Sequence, residues 1–138
     1  MQRFYSQQTG CTYLEGIHVQ MPPDATPITE KRYLTVIASP AEGKVRGHDA
    51  KGLPILVDPP FEQIVEFERA WRNTEIERVK WLRERHQDEI GSNRPTTLSA
   101  DQFNELVDYI QALRDWPEAE AFPDPQQRPA VPEWIASL

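Results

Sequence analysis

The chain has 138 residues, 38% of them hydrophobic and 27% charged, which suffices for one modest core or two very small ones. Fifteen basic against 22 acidic side chains give a net charge of -7, the wrong sign for a protein that grips a phosphate backbone. The single cysteine, Cys11, can close no intrachain disulfide and fits a reducing compartment. Neither the N-terminus nor any later segment is apolar for long enough to serve as a signal peptide or a membrane span, so the expectation is a chain neither exported by a standard signal nor inserted in a bilayer.

The 13 prolines organise the rest. Seven fall in the first 60 residues, five crowd into 117–132, and the windows 61–90 and 99–116 hold neither proline nor glycine. Windows free of both breakers are where helices run. Within residues 1–60, Arg3–Ser6 and Cys11–Leu14 flank a Gln7-Gln8-Thr9-Gly10 turn and predict a hairpin. Thr29 is placed to cap a short helix over 30–37, stopped by Pro40. Lys44–His48 and Leu53–Val57 flank Asp49-Ala50-Lys51-Gly52 as a second hairpin, with Pro54 confining the last strand to an edge.

From Phe61, the residues Ile64, Val65, Trp71, Ile76, Val79, Leu82, His86 and Ile90 fall within an arc of about 140°, the apolar stripe of an amphipathic helix over 61–90. Glu68 with Arg72 and Glu75 with Arg78 suit ion pairs on its solvated side, and Gly91 is the expected stop. The next helix, 99–116, opens with Ser99 as N-cap, Gln102 as its box partner, and Leu98 with Phe103 as a staple. Its face is Phe103, Leu106, Val107, Ile110 and Leu113. Two such helices on a short loop bury their stripes most simply as an antiparallel hairpin. Residues 117–138, interrupted by Pro117, Pro123, Pro125, Pro129 and Pro132, read as an extended, polyproline-like tail with apolar anchors.

Catalytic and metal chemistry find little support. His18, His48 and His86 have no second ligand three or four residues away, and no phosphate loop occurs. Cys11 with His18 or His48 as base would make a thiol enzyme, but nothing local activates the thiol. The expectation is a protein that is not an enzyme and uses no cofactor or metal. A second set of apolar side chains stands out instead. Phe67, Ala70, Thr74 and Trp81 lie roughly 180–240° around the first helix from Phe61, away from the main stripe, and Tyr109, Ala112 and Trp116 do the same on the second. Either the tail covers them through Phe122, Trp134 and Ile135, or a partner does. The candidate partner-binding residues are therefore Phe67, Trp81, Tyr109, Trp116, Phe122, Trp134 and Ile135.

The segment Thr96–Trp134, with TTLSADQF, QALRDWP and its proline-rich end, resembles the C-terminal motif of phage tail fibre assembly chaperones of the Pseudomonas type. Trp81-Leu82, Arg85-His86 and Asp88 are similar to that family's helix end, and FYSQQTGCTY, IHVQMPPDATPIT and GLPILVDPP to its N-terminal pattern. Two departures are Ile110 where the family usually has arginine and Cys11 where glycine is common. The resemblance implies a non-enzymatic chaperone that binds the C-terminal tip of a trimeric tail fibre protein in the cytoplasm of an infected or lysogenic bacterial host. Retention as a cap on the fibre tip in the virion, and service to another tail component such as the tape measure protein, are the alternatives it leaves open. No nucleic acid and no membrane are expected as partners. The fold expected is α+β: a β-hairpin-rich module over 1–60, a helical hairpin over 61–116 and an extended tail over 117–138.

Overall fold

The computed structural model describes all 138 residues. The fold is α+β and the chain divides into two compact units, Met1–Pro60 and Phe61–Leu138. In the first, β1 (Arg3–Tyr5) is the centre of a three-stranded antiparallel sheet with β2 (Thr12–Leu14) on one side and β3 (Thr26–Ile28) on the other. The β1–β2 hairpin follows the sequence reading, with Gly10 at φ 68° supplying the turn's left-handed residue. β3 was not expected, because Pro27 in its middle argues against a strand. An edge position tolerates the missing N–H, which is where β3 lies.

Helix α1 (Glu30–Arg32) starts where Thr29 predicts, its hydroxyl accepting from the Arg32 N–H at 3.2 Å. It then widens into a π-helix over Tyr33–Ala38 instead of continuing as an α-helix. Two causes are local: Thr35, Val36 and Ile37 are β-branched and crowd a regular turn. The Thr35 hydroxyl also donates to the Lys31 carbonyl at 2.9 Å, a back-bond of the kind that bends helices.

The second hairpin forms as read, with β4 (Val45–His48) antiparallel to β5 (Pro54–Val57). Asp49 builds its turn by accepting from the Lys51 and Leu53 N–H groups at 2.9 and 3.0 Å. Tyr5 joins the two sheets by sharing a 2.8 Å hydrogen bond with His48 Nε2 and is 1% exposed.

The second unit is built on α2 (Phe61–Gly91) and α3 (Ala100–Asp115). Gly91 is still helical; the stop is a Schellman turn in which Asn93, at φ 54°, donates to the Ile90 carbonyl and Arg94 donates to that of Glu89. The capping box of α3 is complete, Ser99 Oγ accepting from Gln102 N–H and Gln102 Oε1 from Ser99 N–H. The helices run antiparallel in a register marked by Thr97 donating to Glu89, His86 stacked on Phe103 at 4.0 Å, and Tyr109 donating to Glu75 at 2.8 Å. Val79, Leu82, Leu98, Leu106, Ile110, Leu113 and Ile135 form the core with Tyr109. Phe61 and Ile90, expected on the buried stripe, are exposed because α2 is the longer helix and both lie at its ends. On α3, Val107, expected on the buried face, is 39% exposed, and Tyr109, expected on the second stripe, is buried in its place.

Residues 117–138 differ most from expectation. Rather than an extended tail, they contain helical turns at Trp116–Glu118 and Pro125–Gln127 and a short α4 (Glu133–Ala136). Proline breaks a helix from the inside but suits its first turn, where no N–H is needed. Pro117 and Pro125 hold that position, and Pro132 is the N-cap of α4. α4 folds the chain back and places Ile135, fully buried, in the core.

Replacing Leu106, which is 0% exposed, by alanine is expected to destabilise the second unit by about 2–5 kcal/mol, and Ser99→Ala by about 1 kcal/mol. Urea unfolding followed by circular dichroism measures both.

Candidate partner-binding surface

Glu68, expected in a solvated pair with Arg72, is 2% exposed. Its carboxylate accepts from Arg128 twice, at 2.6 and 2.7 Å, and from the Trp116 indole N–H at 3.0 Å. The Arg128 guanidinium lies 3.9 Å over the Trp71 ring, so the cation ties the tail to the first helix, and the Glu68 carboxylate links both to Trp116 at the end of the second. Such a charge is tolerable inside because both oxygens are bonded and its partner is a planar, bidentate donor. Helical geometry carried a signal for this site. At 100° per residue Glu68 lies only about 20° from Val79, inside the apolar arc, where an acid needs a partner.

A second polar cluster sits midway along the hairpin. Arg78 holds Glu75 through two hydrogen bonds, of 3.0 and 2.7 Å, and keeps its carboxyl below the usual carboxylate range, with the Tyr109 hydroxyl assisting against the opposing effect of burial. Burial, and then the neighbouring Glu75 carboxylate, push the Tyr109 phenol well above its ordinary 10.0.

These contacts divide the seven candidate residues. Tyr109, Trp116 and Ile135 are 3%, 3% and 0% exposed and serve the chain's own packing. Phe122 meets Trp116 edge-on at 5.5 Å, and the Trp134 indole donates to Glu105 at 3.2 Å. Of the second stripe of α3, Tyr109 and Trp116 are thus covered, while Ala112 stays exposed. That of α2 stays open: Phe67 is 55% and Trp81 47% exposed, with only the Arg85 guanidinium 5.0 Å over the Trp81 ring.

The groups considered for catalysis are apart. Cys11 is exposed and its Sγ lies 3.4 Å from the Thr9 carbonyl. His18 Nδ1 instead accepts from the Leu14 N–H, and His48 bonds Tyr5. His86 is 6% exposed, consistent with a place beside the core stripe. No three His, Cys, Asp or Glu side chains gather where a metal ion could be held, and no helix is long and apolar enough to cross a membrane. No protein-family model, curated protein or solved structure matches the chain.

Arg128→Ala leaves Glu68 a buried, half-bonded charge and should cost about 3–5 kcal/mol, with a red shift of tryptophan emission as Trp71 and Trp116 meet water. The Glu75–Tyr109 pair sets opposite limits in pH. Tyr109 holds its proton more tightly in the folded chain, so its contribution is whole below pH 10.0 and is lost as pH rises through the raised folded value. The Glu75 contribution is whole above 4.5 and is lost as pH falls through the lowered one. Tyr109→Phe is expected to lower stability by about 1 kcal/mol at neutral pH and to flatten the alkaline side of a Tm-against-pH curve.

Proposed function

We propose that this chain is a non-enzymatic assembly chaperone that binds the C-terminal tip of a trimeric phage tail fibre and keeps it from aggregating while it folds. The resemblance of Thr96–Trp134 to the fibre-chaperone motif supplies the client. The observation that carries the binding role is the open α2 stripe. Phe67 and Trp81 are separated by 14 residues, four helical turns and roughly 21 Å on one face, and remain exposed while the aromatic residues of α3 and the tail are engaged internally. Large aromatic side chains held on a rigid helix are effective anchors because little entropy is lost when they are covered.

The client's physics suits such a binder. Fibre tips are β-rich, and their strand pairings form between chains and far apart in sequence, so unpaired edges persist while they fold. A protein that covers those surfaces shifts the balance from aggregation to assembly by mass action, and no nucleotide hydrolysis is required.

Co-expression with the fibre gene encoded beside it should yield soluble trimeric fibre that co-elutes with the chain on gel filtration. Fibre that becomes equally soluble and trimeric alone, with no co-elution, would remove the proposal. Phe67→Ser with Trp81→Ser should weaken the complex by about 2 kcal/mol or more while leaving the unfolding free energy of the free chain within about 1 kcal/mol of the original.

A further inference from the structure

A groove of about 360 Å³ opens in the first unit between the outer edge of β5 and the π-helix, lined by Lys31, Thr35, Val36, Ile55 and Leu56 among others. β5 pairs only with β4, so its other edge has no strand beside it. The alternation of the ladder decides what that edge offers. Asp49 N–H donates to the Leu53 carbonyl at the turn, at 2.9 Å, and the register places Gly47 opposite Ile55 and Arg46 opposite Leu56. Counting from the turn, Gly47–Ile55 exchanges hydrogen bonds and Arg46–Leu56 does not. The Leu56 N–H and C=O therefore point away from β4, toward the open edge. Pro54 falls in the same class of pair, so its missing N–H costs the ladder nothing.

Two further features suit the groove to an occupant. Its far wall is the π-helix, a form that is uncommon and recurs at functional sites. Its mouth carries Lys31, exposed and in no ion pair, whereas the neighbouring Arg32 is held by Asp49 at 2.9 Å. The remaining sheet edge beside a helix is less suited: β3 has Pro27 at its centre. A free backbone donor and acceptor, apolar walls from Val36, Ile55 and Leu56, and one unpaired cation together describe a receptor for an added strand.

We infer that this groove binds an extended segment of a β-rich partner, which pairs with β5 through Leu56, seats an apolar side chain against Val36, and places a carboxylate beside Lys31. The inference rests on the chaperone reading for the partner's identity: the segment would be an unpaired edge of the fibre tip. Its chemistry is independent of that identity.

The test uses the full chain with two probes, the co-expressed fibre tip and a short synthetic peptide alternating valine and threonine with an aspartate near one end. Hydrogen exchange and amide shifts at Leu56 are the direct readout. With the fibre tip, the Leu56 amide should become protected, and Leu56→Pro and Lys31→Glu should each weaken binding about tenfold. Circular dichroism checks that Leu56→Pro is folded; should it not be, Lys31→Glu, an exposed change, carries the comparison. A fibre tip bound equally well by wild type and Lys31→Glu, with Leu56 exchanging as in the free chain, overturns the groove and leaves the chaperone reading standing. A fibre tip that does not bind at all removes that reading, and the peptide then decides. A Leu56 amide shift that is lost in Lys31→Glu upholds the groove, and no shift overturns it.

Discussion

The second unit depends on a single buried carboxylate. Glu68 is withdrawn from water on the inner side of α2, and its only full compensation comes from Arg128, sixty residues later, with the Trp116 indole beside it. An ion pair of this kind adds little net stability over an apolar replacement, but breaking it from one side is costly. It also fastens the tail, holding Arg128 over Trp71. Once the tail is held there, Ile135 reaches the core and closes it.

That closure matters because the core is small. Four residues of α2 are buried, and one of those is Glu68 itself and another His86, so Val79 and Leu82 are the fully buried apolar residues of a 31-residue helix, with Trp71 and Ile76 packed beside them. α3 supplies Leu106, Tyr109, Ile110 and Leu113, the loop before it Leu98, and the tail Ile135. A hairpin of two helices without the tail would lose Ile135 from its core and Phe122 from the side of Trp116. The proline-rich end is thus a third layer of this unit, and the α2 face bearing Phe67 and Trp81 is the one it does not reach.

Much of this architecture was legible in local patterns. Both hairpins, the Thr29 cap, the Ser99–Gln102 box and the two long helices follow from turn residues and apolar spacing, which act over a few positions. What escaped depends on distant or competing effects. β3 exists because an edge strand tolerates Pro27, a fact that only the sheet order supplies. The π-helix arises from crowding among Thr35, Val36 and Ile37 that a helix propensity does not capture. The tail's helical turns are hidden in the sequence because proline spacing alone does not distinguish a breaker from a first-turn residue. Glu68 was assigned to Arg72 by spacing alone, although its place on the wheel among Phe61 and Val79 and the isolation of Arg128 in an acidic tail pointed elsewhere. Of the candidate residues, the open pair on α2 could be told from the covered set only after the path of the tail was known.

The separation of Glu68 from Arg128 also orders events during synthesis. Chains emerge from the ribosome at about 5–20 residues per second, so roughly 3–12 s pass between the appearance of the acid and that of its base. α3 is complete only for the last 13 residues of that interval, roughly 0.7–2.6 s, in which α2 and α3 can pair while the carboxylate they would enclose has no counterion and the tryptophan beside it no lid. Until the arginine arrives, the open end of the hairpin, where Glu68 meets Trp116, has no counterion with which to exclude water. The last turns of the chain thus complete the helices made before them, and a product lacking Arg128 keeps an unpaired carboxylate in its interior.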